Sequence, residues 1–266
     1  MVRERVRLMG MPLDTVSHDQ ATARIEAGLR DGHGGAVLTP NLDVLRQYRR
    51  SQALQTTFES IELLVADGVP LVWASRLIGA PVPARITGTD MLWAATALAA
   101  SHDATLFVAG GRPSDGGRAA ERLREVHPGL RVLTHPCFVR PGALGRQLDQ
   151  LCAEIEAALP GIVLVALPFA VQVHLMVTLR PRLPGTWFIG IGSSLDFING
   201  DRARAPVWLQ RIGLEWAHRV VLEPRTARRY LVDGLPFAAR LGGHVVRERW
   251  LGATGAVGSR RQNGSG

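Results

Sequence analysis

The chain has 266 residues, 46% of them hydrophobic, enough to bury a substantial core as one large domain or one domain with an appendage. The formal net charge is +8 and every one of the 31 basic residues is arginine. Cys137 and Cys152 form no metal-type spacing and read as reduced thiols, and the N-terminus MVRERVRLMGMPLD lacks the apolar core of a signal peptide, so a cytoplasmic protein is expected.

In chain order, residues 6–11 read as a short strand, and Ser17 or Asp19 can cap a helix running to Leu29. Gly34-Gly35 leads into AVLTPN, a strand ending at Thr39-Pro40-Asn41, and one helix is expected from Leu42 to about Phe58. The apolar run 61–66 reads as a buried strand stopped by Asp67-Gly68. A helical piece with Trp73 and Arg76, the link GAPVPARITG and a helix over 90–100 follow. From Ala104 the pattern becomes regular. ATLFVAGG is a strand entering a glycine turn, Ser114 or Asp115 can cap a helix to about His127, and LRVLTHP is the next strand. A helix over 144–159, the strand IVLVALP, another helix and the strand TWFIGIG complete it. Strands alternating with helices at this spacing predict an α/β fold: a doubly wound, mostly parallel Rossmann-like sheet with helices on both faces.

The stretch 161–179 has 19 residues without a formal charge, close to a membrane-spanning length. Pro168 in its middle, with Gln172 and His174 beyond, favours a buried strand, a turn and a helix instead.

Ligands of such sheets lie beyond the carboxyl ends of the strands. Here those ends are Thr39–Asn41, Asp67-Gly68, Gly110-Gly111, Pro168 and Gly192–Asp196. Asp67 follows a fully apolar strand, so partial desolvation is expected to raise its basicity, although an Asp-Gly turn alone is an ordinary structural feature. Gly110-Gly111-Arg112 joins a strand to a helix N-terminus, a place where backbone N–H groups can take a phosphate, or a plain tight turn. It is not GxGxxG, and no acid ends the following strand, which argues against a nicotinamide site. The eight histidines show no HxxxH or HExxH pairing and there is no DxD, so no metal cofactor is expected. Residues 201–266 hold 12 arginines against 5 acids, which points to an anionic partner such as nucleic acid, acidic lipid or a phosphorylated substrate.

The segment 190–231 carries four linked patterns: GIGSSLDFING, RAPVW, GLEWAHR and EPRTARRY. With VADGVPLV, PARITGTD and TPNLD upstream, these resemble the WecG/TagA/CpsF glycosyltransferases over about residues 5–240. Strand, polar switch and cationic helices in succession point to a site at a sheet edge with a charged cover. The resemblance implies Asp67 as general base with Thr39 beside it, and Asn41, Arg85, Gly88, Gly110, Gly111, Gln172, Asp196 and Arg204 as substrate-binding residues. Arg225, Arg228 and Arg229, at i, i+3 and i+4, would face the membrane or a lipid diphosphate. One departure stands out: a PKQE-like motif of the family is replaced here by Pro168-Phe169-Ala170-Val171, with Gln172 one position beyond.

Implied is an inverting, metal-independent enzyme moving an N-acetylmannosamine-like sugar or a uronic acid from a UDP-sugar to a polyprenyl-diphosphate-linked sugar in cell-surface polysaccharide synthesis. It would work as a peripheral protein on the inner face of the cell membrane, against an anionic surface. The organisation expected is an α/β catalytic domain over 1–212, a basic helical appendage over 213–251 and a disordered tail over 252–266. A homo-oligomer is compatible with the sequence. Two other readings stay open: a non-catalytic sugar-nucleotide-binding member of the same family, and a basic nucleic-acid-binding protein. Against the latter, aromatics are only 6% and show no stacking pattern among the arginines.

Overall fold

The computed structural model describes residues 4–137, 145–201, 205–206, 209, 215–222 and 227–262. It opens with a hairpin, β1 (Arg5–Leu8) and β2 (Met11–Asp14), paired antiparallel. A single strand over 6–11 was the expectation. The turn is Met9-Gly10, both at positive φ (49° and 90°), a two-residue hairpin turn built without the Asn-Gly that usually signals it. Buried Asp14 fastens the hairpin to the body, accepting from the Leu64 N–H at 2.7 Å and from Arg5 Nε at 3.3 Å.

There follow α1 (His18–Arg30), β3 (Gly35–Leu38), α2 (Leu42–Tyr48), α3 (Gln52–Ser60), β4 (Leu63–Leu64), α4 (Val69–Leu77) and α5 (Gly88–Ser101). Ser17 caps α1 in a capping box with Gln20, as the sequence predicts. The helix expected over 42–58 is instead two. Ser51 leaves the helical conformation and caps α3 through the Leu54 N–H at 3.3 Å. The regular part is β5 (Leu106–Gly110), α6 (Asp115–Val126), β6 (Val132–His135), α7 (Arg146–Ala158), β7 (Ile162–Ala166), α8 (Phe169–Leu179) and β8 (Trp187–Gly190). After β8 come the short α9 (Ser194–Ile198), then α10 (Glu215–Leu222), a π-helical turn Arg228–Gly234 and α11 (Leu235–Gln262). The 161–179 stretch is β7, a turn at Pro168 and α8. Among the described residues no helix is long and apolar enough to cross a membrane.

Six strands pair in parallel in the order β4-β3-β8-β7-β5-β6. Strand residues alternate between two cores, as the period of two requires. Leu38, Leu64, Ala109, Val165 and Phe188 face the hairpin with α2, α3, α4, α7, α8 and α11. Val37, Leu63, Val108, Leu164 and Ile189 face α1, α5, α6 and α9. This is the predicted α/β, doubly wound sheet. Because β8 is a central strand, the edge that carries its polar switch is the carboxyl edge of the sheet and not an outer strand. The last helix is anchored by Phe237, Leu241 and Val245, one side of α11 buried in the same core as α4.

Candidate functional site

Parallel strands put the start of every following helix at one end of the sheet, and there a cleft of about 1010 Å³ opens. All five predicted strand ends contribute lining: Thr39 and Asn41 after β3, Asp67 after β4, Gly111 after β5, Pro168 after β7 and Asp196 after β8. Gln172, one turn into α8, lines it as well. Arg85 lines it from the link that follows α4, and Gly88 from the first position of α5.

Backbone pairing explains why these residues meet. The Asp67 N–H donates to Pro40 O at 2.9 Å, extending the β3–β4 pairing past the strands and setting half-buried Asp67 beside Thr39-Pro40-Asn41. On its other side the Ile86 N–H donates to Ala66 O at 2.9 Å, which brings Arg85 alongside the same strand end. Asn41 has a structural task as well: its Oδ1 caps α2, accepting from the N–H groups of Asp43 and Val44 at 3.0 and 3.1 Å. Across the cleft, Thr89 at the start of α5 donates its hydroxyl to Ser194 Oγ at 3.1 Å, both side chains buried. Gly88 permits this approach, since a Cβ there would crowd Ile191 O at 3.0 Å.

The glycine turn after β5 is arranged differently from the expected phosphate cradle. Gly110 does not line the cleft; with φ at 108° it lies against β7, where a Cβ would stand 2.5 Å from Ala166 O. The Arg112 N–H already donates to Asp115 Oδ2 at 2.9 Å, and Arg112 Nε and Arg118 Nη2 close on the same carboxylate at 3.1 and 3.2 Å. Asp201 completes the cluster, taking Arg118 Nη2 at 2.7 Å and Arg112 Nη2 at 3.3 Å, with Asp196 3.9 Å from Arg112. Burial alone would raise the Asp115 carboxyl, but the Arg112 N–H and the two guanidinium groups outweigh it and hold it below the ordinary carboxylate range. Asp201 is lowered by its hydrogen bond to Arg118, and both arginines are raised in turn.

Arg204 and Arg225 lie outside the described residues; Arg228 is exposed on the π-helical turn, outside the cleft lining, with Arg229 next on the same turn. Several lining residues were not anticipated. The Asp43–Arg46 pair at 2.7 Å sits on α2, and Thr89 stands opposite Ser194. Leu235, Phe237 and Ala238 form a wall from α11, whose 237, 241, 245 periodicity was the available sequence signal. Among the described residues no three His, Cys, Asp or Glu side chains come together as metal ligands.

A cleft with a half-buried carboxylate, arginines and several helix starts suits the transfer of a group from a phosphorylated donor. The family model described as the glycosyl transferase WecG/TagA/CpsF family matches residues 6–252. Two relatives share the name N-acetylglucosaminyldiphosphoundecaprenol N-acetyl-beta-D-mannosaminyltransferase. The one from Bacillus spizizenii (strain ATCC 23059 / NRRL B-14472 / W23) is 26% identical over 216 residues, 81% of this chain and 80% of the relative. The one from Bacillus subtilis (strain 168) is 25% identical over 199 residues, 74% of this chain and 75% of the relative.

Proposed function

This chain belongs to the WecG/TagA/CpsF family of glycosyltransferases, and on that premise we propose that it transfers an N-acetylmannosamine-like sugar or a uronic acid from a UDP-sugar to a sugar carried on a polyprenyl diphosphate. What supports the reading is Asp67, the carboxylate that lines the cleft between Thr39 and Arg85. Asp67 accepts the proton of the acceptor hydroxyl as its oxygen bonds to the anomeric carbon. The bond from that carbon to the diphosphate oxygen breaks with inversion, and UDP departs with the electron pair. No metal ion takes part; arginines and helix N-termini meet the charge of the leaving group.

The acceptor class follows the relatives' name, in which N-acetylglucosamine rides on diphosphoundecaprenol. An acceptor of that class fits an enzyme that works at the inner face of the cell membrane, with the arginines of its C-terminal quarter, Arg225, Arg228 and Arg229 among them, against anionic lipid. The test is Asp67→Asn. Transfer should fall by about 10²–10⁴, the usual contribution of a general base, with UDP-sugar affinity held within a few-fold. A variant with near-normal turnover removes Asp67 from the role. Wild-type protein that binds UDP-sugar yet transfers nothing to any lipid-linked acceptor favours the non-catalytic reading, which the replaced PKQE-like motif keeps alive.

A further inference from the structure

Asp67 follows β4, an outer strand of the sheet, and the cleft extends from there across the sheet to Arg112 and Asp201 beyond β5. The longer ligand, a sugar on a nucleoside diphosphate, fits that long arm. What remains beside Asp67 is the near end, where α2 and α11 approach each other on one face of the sheet. The two helices line it in opposite ways. The α11 side is the apolar wall of Leu235, Phe237 and Ala238, and the α2 side carries Asp43, Arg46 and Gln47.

The three α2 side chains form one bonded strip. Arg46 donates Nε and Nη2 to Asp43 Oδ1 at 3.1 and 2.7 Å, and Gln47 donates Nε2 to Asp43 Oδ2 at 3.1 Å. The Arg46 and Asp43 side chains are 20% and 26% exposed, so both are largely out of water yet reach the cleft. Part of the strip is uncommitted: Arg46 Nη1 and Gln47 Oε1 make no hydrogen bond to a described residue, and Asp43 Oδ2 accepts only one. The strip also begins next to the candidate base. Asn41 Oδ1 accepts the Asp43 N–H at 3.0 Å, and a Cβ at Gly68 would stand 3.9 Å from Asn41 Cβ.

Charge decides what such a strip can hold. Asp43 cancels the charge of Arg46, and a phosphate arriving there would meet a carboxylate beside a guanidinium already engaged. Donors and acceptors side by side without net charge suit hydroxyl groups, each of which can both give and take a hydrogen bond. A pyranose ring has hydroxyls around its rim and an apolar C–H face, which matches one polar wall and one apolar wall. We infer that Asp43, Arg46 and Gln47 bind the hydroxyl rim of the acceptor's sugar ring, with its C–H face against α11. This rests on the acceptor reading above. Arg46 is the specificity-determining side chain, donating from Nη1 in an orientation that Asp43 fixes.

The test is calorimetric binding of three compounds to the whole chain: N-acetylglucosamine diphosphate carrying a short alkyl chain, the same alkyl diphosphate without the sugar, and UDP. The wild type should bind the sugar-bearing compound about tenfold or more tighter than the sugar-free one, the worth of one hydrogen bond to a charged group. Arg46→Met keeps the stem and removes the guanidinium, and Asp43→Asn keeps the shape and removes the charge. Both should cut that preference to under about threefold and leave UDP within about twofold. Variants that keep the preference, or a wild type that has none, overturn the assignment. Loss of the sugar-bearing and sugar-free compounds in equal proportion shows that the strip does not read the sugar, and overturns it too. A wild type with the expected preference that neither binds UDP nor transfers from any UDP-sugar keeps the acceptor site and removes the donor reading. A wild type that binds none of the three overturns both.

Discussion

Leu241→Ala measures whether α11 is part of the body or a loose cover. Phe237, Leu241 and Val245 are 8%, 3% and 2% exposed and share a core with Leu71, Val72 and Ala74 of α4. Burying one leucine side chain is worth about 1.5–3 kcal/mol, and the cavity left by truncation brings typical Leu→Ala costs to about 2–5 kcal/mol. Leu241 is the middle anchor of a helix whose other face is open to solvent, so the site can partly relax, and a cost of about 2–3 kcal/mol is expected. For a chain of this size that lowers Tm by roughly 5–10 °C. The control is Val246→Ala, five positions on and 62% exposed, which should shift stability by no more than about 0.5 kcal/mol. Thermal unfolding followed by circular dichroism gives both numbers. Equal midpoints for the two variants would mean that α11 is not docked, and the cleft wall of Leu235, Phe237 and Ala238 would go with it.

Three other outcomes follow from the same geometry. The folded Asp115 carboxyl titrates below its unfolded value, so its stabilisation is fully present above the ordinary carboxylate pKa of about 3.9 and is lost as pH falls through the lower folded value. The Tm gap between wild type and Asp115→Asn should therefore hold from pH 7 to about 5 and close below about 4; a gap independent of pH would show that charge is not its source. Gly190→Ala should displace the Gln172 amide, at a packing cost of about 1–3 kcal/mol or less that Gln172→Ala relieves; additive effects in that double-mutant cycle refute the contact. UDP-sugar binding should survive EDTA, and a signal that vanishes and returns with Mg²⁺ or Mn²⁺ ends the metal-free mechanism.

Much of this arrangement was legible because it is local. Apolar runs stopped by Asp67-Gly68, Gly110-Gly111 or Gly192 mark strands that end at one edge, and the topology then gathers those ends. Features made by distant partners left no local trace. The Thr89–Ser194 bond and the Arg118–Asp201 pair each join segments far apart in the chain. The Met9-Gly10 turn depends on a positive φ that Met does not advertise, whereas Ser51 is a favoured N-cap type whose signal a single helix over 42–58 passes over. The phosphate expectation at Gly110-Gly111 read a helix start correctly but not that Asp115 folds back to fill it.

The order of strands also fixes when the cleft can exist during synthesis. The pairs β3–β4 and β7–β5–β6 share no hydrogen bond; only β8 joins them, Trp187 pairing with Gly35 on one side and Ile162 on the other. Until that late strand has left the ribosome the nascent chain carries two separate half-sheets, each with an apolar edge open to wrong partners. Closing them requires contacts between residues far apart in sequence, which makes the step slow. The bond-forming half around Asp67 and the half around α8 therefore become one site only on completion of the sheet, and a chain stopped before Trp187 has neither a cleft nor a protected edge.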